Sequence, residues 1–156
     1  MKIILDGMGG DNAPASVVEG AVLASKEMEH EIVLIGQQEL IEKELKKYKY
    51  DEKKISIVDA REVITNDEAP VRAVRSKKDS SIVKGINMVK SGEGDIFISA
   101  GSTGALLSGG LFILGRIQGI DRPALASVYP IIGGRASLLV DAGANSECKP
   151  NNLLEF

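Results

Sequence analysis

The sequence predicts an α/β protein: a mostly parallel sheet with helices on both faces. Three observations predict it. Short apolar runs alternate with amphipathic stretches through the first half of the chain, the pattern of strands linked by helical crossovers. Two of those runs lead into glycine-rich turns that open helical patterns. Hydrophobic residues make up 44% and charged residues 26% of 156 residues, enough for one globular domain with a real core.

The elements follow in order. Residues 2–5, Lys-Ile-Ile-Leu, form the first strand and run into Asp6-Gly7-Met8-Gly9-Gly10-Asp11. Pro14, suited to the first turn of a helix, opens a helical pattern over 14–28 with Val17, Val18, Ala21 and Val22 on one face. Further strands are read at 32–35, 55–58 and 96–99, and helices at 38–47, 80–91 and 103–115. Asp79 or Ser80 is a natural cap for the third helix. Crossovers between the parallel strands are right-handed. Two last strands, 124–129 and 137–141, are joined by Pro130-Ile131-Ile132-Gly133-Gly134-Arg135. That link is too short for a helical crossover, so the pair is antiparallel or its members lie apart. Residues 43–54 are charge-rich and read as a solvated helix end and loop. Residues 149–156 read as the first turns of a helix that stops at once, which predicts a truncated chain.

Composition excludes several classes. A net charge of −3 argues against general nucleic-acid affinity. The single cysteine, Cys148, excludes an internal disulfide framework and fits a reducing compartment. No apolar run reaches the roughly 18 residues of a membrane span, and the start lacks a signal-peptide core, so the sequence predicts a cytoplasmic protein. His30 is the only histidine and reads as a loop residue. With one histidine and one cysteine there is no convincing metal set, and Ser–His or Cys–His dyads find little support. No cofactor is predicted.

Four loops carry candidate chemistry. The first has the spacing Gly7-x-Gly9-Gly10, which is not the dinucleotide fingerprint G-x-G-x-x-G. Its backbone N–H groups suit an anion at the helix start. Asp6 and Asp11 would repel that anion, so they orient the loop, cap the helix or meet a donor on the substrate. The plainer alternative is a tight turn with Asp11 or Asn12 as cap. The second loop is Ser99-Ala100-Gly101-Ser102-Thr103-Gly104-Ala105. Ser102 or Thr103 can cap a helix, and the same groups can hold a phosphate or an oxyanion. The G-K-[ST] ending of a nucleoside triphosphate loop is missing. The third is a basic stretch with Arg72, Arg75, Lys77, Lys78 and Lys84, either a solvated face or a surface for an anionic substrate or acidic partner. The fourth, Asp141-Ala142-Gly143-Ala144-Asn145, follows a strand; Asp141 and Asn145 are site candidates or the anchors of a turn.

Together these loops resemble the PlsX-type phosphate acyltransferases of bacterial phospholipid synthesis. The matching residues are 6–14, Arg75-Ser76-Lys77-Lys78-Asp79-Ser80-Ser81, residues 99–106, and 141–145 followed by Cys148-Lys149-Pro150. Two positions depart from the pattern: Gly7 stands where the family commonly has Ala, and Ser102 where it has Asn. Family members are about twice this length, so 1–156 is read as a single α/β domain resembling their N-terminal half.

The resemblance implies a fold like that of isocitrate and isopropylmalate dehydrogenases, and a homodimer. It implies transfer of a fatty acyl group from acyl carrier protein to inorganic phosphate, giving acyl phosphate. Ser102, Thr103, Asp141 and Asn145 are then the catalytic candidates. Asp6, Gly9, Gly10, Asp11, Arg75, Lys77, Lys78, Ser99, Gly101 and Gly104 are the substrate-binding ones. Peripheral membrane association, where the family has it, falls to the half not present here. Two other readings compete: a nucleotide- and metal-dependent dehydrogenase of the same fold, and a non-catalytic fragment. The first lacks both the glycine fingerprint and a carboxylate cluster suited to Mg²⁺.

Overall fold

The computed structural model describes residues 1–156 apart from Arg122 and Ser146. The chain divides into two compact units, Met1–Leu114 and Gly115–Phe156. The sequence reading takes 1–156 as one domain.

In the first unit, β1 (Lys2–Asp6), β2 (Glu31–Gly36), β3 (Ile55–Asp59) and β4 (Ile96–Ile98) form an all-parallel sheet in the order β3-β2-β1-β4. Its strands are nearly continuous Ile, Val and Leu because helices cover both faces. Alternate residues of β2 show this. Ile32 and Leu34 pack with Val18 and Val22 of α1 (Ala15–Glu27) and Ile41 and Leu45 of α2 (Gln38–Leu45). Val33 and Ile35 face the other way, with Ile4, toward Met88 and Val89 of α4 (Ser81–Lys90). The mostly parallel α/β class read from the sequence is what the structure has.

Two elements differ from the sequence reading. Helix α3 (Pro70–Ser76) lies inside the basic stretch, where the sequence reading places no helix. It is two turns long, with Pro70 in its first turn and Ala73 and Val74 buried against Ile82, Val83 and Ala105. The helix read over 103–115 is two pieces: α5 (Thr103–Gly109) and a π-helical turn at Gly110–Leu114. Adjacent glycines are poor helix formers, and their junction is where the hydrogen-bond pattern widens. Gly109 is required by packing, because a Cβ there would collide with Ile86. Gly115, with φ +102°, ends the segment in a left-handed conformation that suits glycine.

In the second unit, β5 (Ala126–Ile131) and β6 (Arg135–Val140) pair antiparallel. The antiparallel option is therefore the one adopted. The ribbon runs to Ile131↔Arg135, so it extends past the expected limit at 129 and places Pro130 inside a strand. A two-stranded ribbon is all edge, where proline is tolerated, and Gly133 and Gly134 (φ +92° and +72°) tighten the turn. Helix α6 (Pro150–Glu155) opens where the Lys149 N–H donates to Asn152 Oδ1 at 2.9 Å. No helix among the described residues is long and apolar enough to cross a membrane.

Candidate functional site

The chain leaves β1 toward β2 and β3, then returns to the other side of β1 as β4. The direction of winding reverses between β1 and β4. In open α/β sheets, ligands bind in the crevice beyond the carboxyl ends of the strands at such a switch point. The two loops that flank it are Asp6–Pro14 and Ser99–Thr103, the first two candidates read from the sequence.

Register brings these loops together. Leu5 pairs with Ile98, so the next residues, Asp6 and Ser99, stand side by side at the strand ends. Asp6 is 1% exposed. Its Oδ2 accepts the Ser99 hydroxyl at 2.7 Å and its Oδ1 accepts the Met8 N–H at 3.0 Å. Ser99 Oγ in turn accepts the Gly101 N–H at 3.0 Å. Glycine makes the approach possible. A Cβ on Gly9 would lie 2.6 Å from Asp6 Oδ2 and 2.8 Å from the Gly101 nitrogen. Gly10 has φ +100° and passes beside Ala100. Gly7 answers to a different neighbour: a Cβ there would meet Ile41 Cδ1 at 2.8 Å and the Ile35 carbonyl oxygen at 3.0 Å.

At the start of α5, Ser102 is buried and acts as the cap, its Oγ accepting the Ala105 N–H at 3.3 Å. Among the described residues, the N–H groups of Thr103 and Gly104 have no acceptor in the chain, as first-turn groups do not, and Thr103 is exposed. Gly104 owes its identity to packing, since a Cβ would sit 2.7 Å from Pro70 Cγ. The alternative assigned to Asp11 or Asn12 is not realised: α1 has no side-chain cap. Its first turn is closed by backbone bonds from Ser16 to Asn12 and from Val18 to Pro14. The exposed Asp11 therefore has no structural task at the helix start.

The basic stretch divides. Lys77 Nζ bonds Glu68 Oε1 at 2.6 Å and the Val63 carbonyl at 2.7 Å. This holds the Glu68 carboxyl below the usual range, Lys77 contributing first and the Thr65 N–H second. Lys84 pairs with Asp79 and bonds the Asp59 carbonyl. Lys78 reaches the Val74 carbonyl at 3.3 Å. Arg75 stacks over the Phe112 ring, 5.3 Å from its centroid. Among the described residues, Arg72, Arg75 and Lys78 have no carboxylate partner.

In the second unit, Asp141 has both oxygens engaged. Oδ1 accepts the N–H groups of Leu125 (3.1 Å) and Ala144 (3.0 Å). Oδ2 accepts the Asn145 N–H (2.9 Å) and Nδ2 (2.8 Å). Asn145 Nδ2 also donates to the Pro123 carbonyl at 3.1 Å. The Leu125 N–H, with Asn145 and Ala144, holds the Asp141 carboxyl below the usual carboxylate range. A depressed folded-state pKa contributes stability above the unfolded value and loses it as pH falls through the folded one. We therefore expect the melting temperature of wild type to exceed that of Asp141→Asn at pH 7. The gap should close as pH falls below about 4, the ordinary range of the group. Melting curves across a pH series check this, and a gap independent of pH contradicts it.

The sequence reading passed over one feature at the same end of the sheet. Gln37, Gln38, Asp59 and Arg61 line a polar recess beyond β2 and β3. Asp59 accepts the Gln38 N–H and Arg61 Nε, both at 3.2 Å, which lower its pKa in that order. Its signal in the sequence was an aspartate at a strand end, the same signal that singled out Asp6 and Asp141.

The model of the fatty acid synthesis protein family matches residues 1–156, the whole chain. The chain belongs to that family. It is 55% identical over 156 residues to a protein of Clostridioides difficile (strain 630) named phosphate acyltransferase, covering 46% of that protein. A protein of the same name from Alkaliphilus oremlandii is 58% identical, again over 46% of its length. One from Halothermothrix orenii is 49% identical over 157 aligned residues and 47% of its length. The chain thus spans about half the length of the curated relatives it matches, and all of it is matched.

Proposed function

We propose that this chain supplies the phosphate site of an acyltransferase that moves a fatty acyl group from acyl carrier protein to inorganic phosphate. The observation that carries the reading is the interlocked pair of loops at the β1/β4 switch point, next to N–H groups at the start of α5 that have no acceptor among the described residues. Membership of the fatty acid synthesis family, with relatives named phosphate acyltransferase, supports the reaction class. The proposal extends to the acyl phosphate product and its use in phospholipid synthesis. It also includes a dehydrogenase-like fold for the complete protein, a homodimer and a cytoplasmic setting.

Phosphate at neutral pH is already an anionic nucleophile, so no Ser–His pair is needed. Its oxygen attacks the thioester carbonyl, the carbonyl oxygen gathers charge, and the C–S bond breaks to release the carrier thiolate. Positioning and oxyanion stabilisation are what the protein must supply. The Thr103 hydroxyl and the Thr103 and Gly104 N–H groups hold phosphate or the developing oxyanion, with Ser102 fixing the turn as its cap. Gly9, Gly10, Gly101 and Asp11 form the adjoining wall. Arg75 and Lys78 draw in phosphate or the acidic carrier; Lys77, already bonded to Glu68, shapes its own loop. Asp141 and Asn145 organise the loop after β6.

The test is phosphate-dependent release of free carrier protein from acyl-acyl carrier protein, by this chain and by the chain carried to the length of its relatives. Turnover that requires phosphate in either form supports the reading. Absence of turnover in both folded forms overturns it.

A further inference from the structure

We infer that Asp6 is a positioning residue: it acts through Ser99 to lock the second loop of the switch-point crevice in place. This rests on the phosphate-site reading above and assigns the buried carboxylate within it. Asp6 is 1% exposed and bonds no cation among the described residues. A carboxylate buried this deeply needs donors, and the two among the described residues are the Met8 N–H from its own loop and the Ser99 hydroxyl from the other.

The direction of these bonds matters. A serine hydroxyl has one proton and two lone pairs. Asp6 takes the proton, so Ser99 Oγ can only accept elsewhere, and it accepts the Gly101 N–H at 3.0 Å. Asp6 thereby fixes the backbone two residues beyond Ser99, one residue before the cap of α5. Nothing bulky fits between the loops: a Cβ on Gly101 would lie 3.3 Å from Gly9 Cα and 3.4 Å from Asp6 Oδ2. An asparagine at position 6 reverses the polarity. If its oxygen serves the Met8 N–H, its NH₂ faces a hydroxyl that already receives the Gly101 N–H. Ser99 then has two donors aimed at it and its own proton displaced.

The experiment is a double-mutant cycle of Asp6→Asn and Ser99→Ala, with Ser99→Thr as the conservative variant, in the chain carried to the length of its relatives. Two readouts are taken: KM for phosphate against kcat, and amide hydrogen exchange over residues 99–104. Each single variant should raise KM for phosphate by about tenfold, the size of one lost hydrogen bond to a charged group. The double variant should be no worse than the worse single, since both remove one linkage. Ser99→Thr should restore KM, and exchange over 99–104 should quicken in Asp6→Asn and Ser99→Ala alike. A purely stabilising Asp6 would lower the melting temperature and leave KM of the folded enzyme unchanged, which overturns the inference, as do effects that multiply. Should wild type show no phosphate-dependent transfer, the functional reading fails and the exchange readout alone decides. Unchanged exchange over 99–104 in Asp6→Asn, or in Ser99→Ala where Asp6→Asn does not fold, overturns the positioning role.

Discussion

Gly9→Ala is expected to cut phosphate-dependent turnover by about a hundredfold, the loss that follows from moving reacting groups by about 1 Å. The added methyl carbon would lie 2.6 Å from Asp6 Oδ2 and 2.8 Å from the Gly101 nitrogen. The first contact could relax by turning a side chain, at the expense of the Ser99 bond. The second cannot, because the Gly101 nitrogen is backbone held between β4 and α5. The two loops must therefore move apart. Such overpacking costs about 1–3 kcal/mol, so the protein should still fold. Gly20→Ala is the control. It lies on α1, where an added Cβ would meet nothing within 4 Å beyond its own chain neighbours and helix backbone, and should leave activity alone and stabilise by roughly 0.5–1 kcal/mol through helix propensity. Steady-state kinetics and thermal melts of the two variants make the comparison. Equal activity in both would remove the close approach of the loops from the account.

Thr103→Val is expected to lower kcat/KM for phosphate by about 10- to 100-fold, the loss of one hydrogen bond to a charged group. Thr103 is exposed at the start of α5, and the cap of that helix is Ser102. Folding should therefore shift by no more than about 0.5 kcal/mol. A kinetic loss without a stability loss separates this residue from its neighbour. Ser102→Ala removes the acceptor of the Ala105 N–H and should cost about 1 kcal/mol in stability as well. Wild-type kinetics in a folded Thr103→Val protein would take the hydroxyl out of the site.

What the sequence disclosed, and what it did not, follows from the range of each interaction. Strands 1 to 4 and the helices on both faces were legible because their signals are local: apolar runs, Pro14 before a helical face, Ser80 at a cap. The loops were legible as candidates because small residues clustered at strand ends. The Asp6–Ser99 bond was not, because the partners are 93 residues apart and meet only when β4 lies beside β1. Helix α3 was hidden by its own cations. Seven residues with two arginines give little apolar period, and only Pro70 marked its start. The division of labour among the cations was also invisible. Lys77 and Lys84 are tied to Glu68 and Asp79 by folding, whereas Arg75 rests on Phe112. Likewise, Asp141 looked in sequence like Asp6, yet it takes four bonds from its own neighbourhood.

The most direct test of the account is a phosphate titration of the isotopically labelled chain followed at each backbone amide. The account predicts saturable shifts confined to two segments, Gly9 to Asp11 and Gly101 to Gly104, largest at Thr103 and Gly104, whose N–H groups have no acceptor among the described residues. Shifts centred instead on Gln38, Asp59 and Arg61, in the recess beyond β2 and β3, would place the anion elsewhere on the sheet and contradict it.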